Sequence, residues 1–124
     1  YVTEWDVINE TWSNHDLMDI LGEEVMIEWF HVARETNPDA KLYYNDFTML
    51  SGGARDTDRI EHLHRTLTYL IENGAPIDGI GEQGHFGWTV TPPEKMLAIL
   101  DRFAAFGLPI QITEFDVNVT EEPL

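Results

Sequence analysis

The chain has 124 residues and a mass of 14.3 kDa, room for one small domain. Seven Lys plus Arg against 23 Asp plus Glu leave a formal charge of −16, which argues against DNA, RNA and anionic membrane partners, and no basic cluster overrides it. With 43% hydrophobic residues the composition is globular, no apolar run approaches the roughly 18 residues of a membrane span, and the absence of cysteine excludes disulfides and thiolate metal sites while leaving the compartment open.

Residues 1–8 already read as the interior of a strand, so the sequence is expected to be an excised piece of a longer chain. A helix-period stretch follows over residues 22–35, with Val25, Trp29 and Val32 on one stripe and Met26, Phe30 and Ala33 beside it. Asn37 and Pro38 stop it, and residues 41–45 read as a second strand. The second helix is predicted over residues 57–72, with Ile60, Leu63, Leu67, Leu70 and Ile71 inward, ending before Gly74 and Pro76. Residues 77–83 form the third predicted strand. Thr91-Pro92-Pro93-Glu94 reads as a capping box opening a third helix that buries Leu97, Leu100, Phe103 and Ala104. Gly107 and Pro109 end that helix, and residues 109–117 complete the set as a fourth strand.

The order is β-α-β-α-β-α-β with strands about 35 residues apart, which implies parallel strands joined by right-handed crossovers. A doubly wound fold wants a glycine-rich phosphate turn after its first strand, whereas here the chain runs Asn9-Glu10-Thr11-Trp12. The expected class is therefore α/β, about half of a (β/α)8 TIM barrel.

In such a barrel the chemistry sits at the C-terminal rim of the strands. The first strand ends in Asn9-Glu10, the second in Asn45-Asp46, the third in Gln83-Gly84-His85 and the fourth in Glu114-Phe115-Asp116. Ordinary turn formers account for Asn45-Asp46 but hardly for the other three. Ile110, Ile112, Glu114 and Asp116 share one parity, so filling the barrel interior with the two isoleucines would raise Glu114 at its mouth. Two carboxylates at one barrel mouth suit retaining glycoside hydrolysis, in which one attacks the anomeric carbon and the other serves as acid and then base. A chain of hydrogen bonds from Asp116 through His85 to Glu114 would orient the glutamate and keep it ionised.

Trp5-Asp6-Val7-Ile8-Asn9-Glu10, Leu42-Tyr43-Tyr44-Asn45-Asp46-Phe47, Ile80-Gly81-Glu82-Gln83-Gly84-His85 and Ile112-Thr113-Glu114-Phe115-Asp116-Val117 together resemble glycoside hydrolase family 10, the endo-β-1,4-xylanases. The resemblance implies the fourth to seventh strands of the barrel, across residues 1–124. It implies Glu10 as general acid/base and Glu114 as nucleophile, with Asn9 on the sugar 2-hydroxyl. It places Gln83 and His85 on the nucleophile's side, Asp116 behind His85, and Asn45 and Asp46 as a supporting pair. Phe47 stands where the family commonly has Tyr, and Gly84 where Ser is common. The same resemblance implies xylan or xylo-oligosaccharide as substrate, no cofactor, and a secreted or periplasmic enzyme. The family's first three strands would supply a Lys, an Asn and a His-Trp pair, and its eighth a Trp lid. The remaining barrel segments, or a second copy, are thus expected partners.

Other residues have plainer readings. Trp29 reads as core and Trp5 as packed beneath the site, while Trp88 is an even choice between a sugar-stacking platform and a loop aromatic. His62 and His64, two apart on a helix, face no common metal, and His15 and His31 lack partners at ligand spacing. Rival functions are a metal-dependent barrel hydrolase using Asp46, Gln83, His85, Glu114 and Asp116, a non-catalytic sugar-binding barrel, and a cellulase-type retaining glycanase.

Overall fold

A computed structural model describes residues 2–87 and 89–118. Four strands form one parallel sheet in the sequential order β1 (Glu4–Asn9), β2 (Lys41–Asp46), β3 (Gly79–Glu82) and β5 (Ile110–Ile112). A second pair, β4 (His85–Phe86) and β6 (Asp116–Val117), is also parallel and sits beyond the C-terminal ends of β3 and β5. Between the strands run α1 (Asp16–Leu21), α2 (Val25–Thr36), α3 (Thr57–Glu72) and α4 (Pro93–Ala104).

One face of the sheet carries the core. Ile8, Leu42, Tyr44 and Ile80 pack against Met26 and Phe30 of α2, Leu63, Leu67 and Leu70 of α3, and Phe103 of α4. The opposite face is polar and close-set. A methyl group on Gly79 would meet the Tyr43 ring at 2.2 Å, and one on Gly81 would meet Asn45 Oδ1 at 2.3 Å. Helices on one face and a sequentially ordered parallel sheet are the architecture of a barrel sector, since a doubly wound sheet is covered on both faces.

Several local expectations need correction. The strand expected over residues 109–117 breaks after Ile112 and resumes at Asp116, and a six-residue helix, α1, precedes the expected first helix. Only Met18 of α1 is buried, so six residues carry too little periodicity to announce it. Thr91 is not the N-cap of α4. Pro92 holds that position without a side-chain bond, and the buried Thr91 hydroxyl donates to Leu50 O instead. Phe103 is buried as expected, whereas Leu97 is 62% exposed and Ala104 also faces solvent. Val32 and Ile71 likewise lie outward of the buried stripes of their helices.

β1 and β5 are the two edges of the sheet. Beside β1, an open apolar groove of about 470 Å³ is lined by Trp5, Val7, Trp29, Val32 and Leu42. Trp29 therefore packs against the core on one side and lines this groove on the other.

Candidate active site

Backbone pairing continues past the strand ends and lines up the polar groups. Glu10 N–H donates to Asn45 O at 3.1 Å, Gln83 N–H to Asp46 O at 2.8 Å, and Glu114 N–H to Gln83 O at 2.9 Å. Two irregularities decide which side chains reach the cleft. In β1 the register moves from Asp6 opposite Tyr43 to Ile8 opposite Tyr44, so Val7 is an extra residue, a bulge. Ile8 consequently joins Tyr44 on the core face, while Asn9 comes level with Asn45 on the polar face. Trp5 lies level with Leu42 on the core side, 56% exposed, and is not packed beneath the site. In β5, Ile110 pairs with Ile80 and packs against the core, so it does not fill the barrel interior. Thr113 takes the cleft side, and the bend at residues 113–115 then turns Glu114 inward.

Three amides tie the two glutamates together. Gln83 Nε2 donates to Glu10 Oε1 at 2.7 Å and to Asn9 Oδ1 at 3.1 Å. Asn45 Nδ2 donates to the same Asn9 oxygen at 3.2 Å and to Glu114 Oε1 at 2.8 Å. Thr113 Oγ1 donates to Asn45 Oδ1 at 2.8 Å, which fixes the orientation of that amide. Gln83, expected on the Glu114 side, thus holds Glu10, and Asn45 is the amide that holds Glu114. The expected chain from Asp116 is present: His85 Nδ1 lies 2.9 Å from Asp116 Oδ2 and Nε2 lies 3.3 Å from Glu114 Oε2. The β4–β6 pairing places His85 directly opposite Asp116.

Burial works against a charged His85, but hydrogen bonds and charge from Asp116 and Glu114 outweigh it and lift the imidazole above its ordinary value. Asp6, on the cleft face, is also raised, first by burial and then by the charges of Glu114 and Glu4. Asp46 lies on the core side of the rim, where it accepts the Thr48 N–H at 3.1 Å and the Thr48 hydroxyl. Burial raises its carboxyl against those hydrogen bonds. Its neighbour in register is Glu82, fully buried, which accepts Met49 N–H at 3.1 Å and Gly84 N–H at 3.2 Å. Burial pushes Glu82 up to about 7.

Sequence reasoning gave no role to Asp6, Glu82 or Thr113. For Asp6 and Thr113 the signal was there in the strand alternation that puts them on the Tyr43 and Asn45 face. Trp88 lies outside the described residues. Among the described residues no cluster of three His, Asp or Glu side chains is arranged to hold a metal ion.

The arrangement offers two carboxylates at one rim, each oriented by amide N–H groups, with one imidazole against Glu114. A family model for glycosyl hydrolase family 10 matches residues 1–123. A beta-1,4-xylanase of Dictyoglomus thermophilum is 40% identical over 95% of the chain and 34% of its own length. Xylanase 10B from Thermotoga maritima superposes with a TM-score of 0.83 at 32% identity, over 99% of the chain and 39% of that structure. Xylanase 10B from Thermotoga petrophila, solved in complex with xylobiose, gives a TM-score of 0.80 at 32% identity, over 97% and 38% respectively. The chain thus spans about a third of the length of the curated relatives it matches.

Proposed function

The chain belongs to glycosyl hydrolase family 10, and from that membership we propose that it supplies both catalytic carboxylates of a retaining endo-β-1,4-xylanase. The observation that carries the reading is the three-amide network holding Glu10 and Glu114 at one rim. Glu114 attacks the anomeric carbon while Glu10 gives its proton to the departing glycosidic oxygen. A covalent glycosyl ester on Glu114 results. Glu10, now a carboxylate, takes a proton from water, and that water displaces Glu114 to release sugar of retained configuration. Asn9 contacts the sugar 2-hydroxyl, and His85 with Asn45 orients the attacking oxygens of Glu114.

Xylan as the substrate rests on the relatives, which are named xylanases, one of them holding xylobiose. Four of the eight strands of the barrel lie in this chain, and the remaining βα units complete the cleft. A polymer of this kind does not cross membranes, so the enzyme meets it outside the cytoplasm, secreted or periplasmic.

The roles are separable by leaving group. Glu10→Ala should cut turnover of xylan by about 10²–10⁴-fold, the usual worth of an acid catalyst. Dinitrophenyl xylobioside, whose leaving group needs little protonation, should still form the ester, and azide should accelerate its turnover to the β-azide. Glu114→Ala should fail on both substrates and give, at most, the α-azide. Identical behaviour of the two variants, or an α-azide from Glu10→Ala, would overturn the assignment.

A further inference from the structure

Glu10 occupies an uncommon backbone conformation. Its φ is +55°, in the left-handed region that a long L side chain seldom adopts outside glycine-like turns. Such a conformation persists only where neighbouring groups enforce it. On the near side, Glu10 N–H donates to Asn45 O, and Glu10 O accepts from Ser13 N–H at 3.1 Å and Asn14 N–H at 2.9 Å. On the far side the next residue is anchored by its side chain. Thr11 Oγ1 lies 2.5 Å from Tyr44 OH and 2.9 Å from His62 Nε2, with Thr11 and Tyr44 both buried. Trp12 closes over this bond with an edge-to-face contact on His62 at 5.4 Å.

The three groups match in hydrogen-bonding capacity. A threonine hydroxyl has one proton to give and lone pairs to accept, so it joins a phenol to a neutral imidazole in one continuous chain. Burial and the Arg65 charge depress the His62 pKa, which favours that neutral ring. Tyr44 is followed by Asn45, the amide that holds Glu114, so the same chain ties the exits of β1 and β2 to α3.

We propose that Thr11, held between Tyr44 and His62, is a positioning residue that locks Glu10 in its left-handed conformation and thereby aims the acid/base carboxyl. The proposal rests on the assignment of Glu10 as acid/base. A valine keeps the shape of threonine but severs both hydrogen bonds, while a serine keeps them.

The test compares Thr11→Val, Thr11→Ser and Tyr44→Phe in the intact enzyme on xylan and on dinitrophenyl xylobioside. Thr11→Val and Tyr44→Phe should lower kcat on xylan by about 10–100-fold, the scale of a misplaced catalytic group. Formation of the glycosyl ester from the activated substrate should change less than about 3-fold, since it needs little proton donation. Thr11→Ser should recover most of the loss on xylan. Tyr44→Phe supplies the same signature should Thr11→Val fail to fold. Equal losses on both substrates, no loss on either, or no recovery with serine would overturn the positioning role and leave the glycosidase reading intact. A wild-type enzyme inactive on both substrates would overturn that reading itself, and this inference with it.

Discussion

Glu82 illustrates how a carboxyl adjoining the site can serve the frame and not the chemistry. Its two oxygens accept backbone N–H groups from Met49 and Gly84, joining the loop after β2 to the turn that carries Gln83 and His85. Burial is the larger effect and holds the group up to about 7, above the roughly 4.3 of an unfolded glutamate. A carboxyl whose folded value is raised contributes stability that is fully present below the unfolded value and is lost as pH rises through the folded one. That loss is on the order of 3 kcal/mol between pH 4 and pH 8 at about 1.4 kcal/mol per unit. Glu82→Gln cannot ionise, so the gap between it and the wild type should narrow, or reverse, on going from pH 5 to pH 8. Urea midpoints at the two pH values measure it, and a pH-independent gap would contradict the account. In the sequence Glu82 was simply part of a motif, although its parity with Ile80 puts it on the core face; what alternation does not announce is the pair of backbone N–H groups that lets a carboxyl be buried there.

Among the elements, β1, β2, β3 and α3 were legible because their patterns are regular, whereas β4 was not expected and the fourth strand divides into β5 and β6. α3 begins and ends where its periodicity indicates, with Asp56 accepting the Arg59 N–H at its start. What could not be read was irregularity. The bulge at Val7 and the break after Ile112 each reset the facing of later residues, so the parity that links Ile110 and Ile112 to Glu114 in the sequence does not carry across the break, and Ile110 faces the core. The position of Glu10 and Glu114 at one rim was nonetheless legible, because the motifs mark the strand ends whatever the facing below them. The glycines of β3 were legible only as small residues. In the structure Gly81 leaves room for Asn45, whose amide holds both Asn9 and Glu114. Gly81→Ala would drive a methyl group to 2.3 Å from Asn45 Oδ1 and to 3.1 Å from Thr113 Cγ2, so the amide must move. Activity on xylan should fall by about 10–100-fold while circular dichroism stays unchanged. Unaltered kinetics would show that Asn45 does not position Glu114.

Across the whole molecule, the sheet brings the first strand and the last to one rim, and the carboxylates meet through side chains of the strands between them. At that rim the carboxyls of Glu114 and Asp116 flank the His85 imidazole, and Gln83 and Asn45 hold Glu10 and Glu114 in place. Below the rim, Trp5 and Val32 beside β1 and Ile112 of β5 leave apolar surface exposed at the two edges of the sheet. The division of labour between the two glutamates can be read from a covalent trap. A 2-deoxy-2-fluoro-β-xylobioside with a dinitrophenyl leaving group forms the glycosyl ester faster than it is hydrolysed, so the intact enzyme can be digested and its labelled peptide sequenced by mass spectrometry. The label should sit on Glu114; a label on Glu10, or no label together with an inverted product, would rule out Glu114 as the nucleophile.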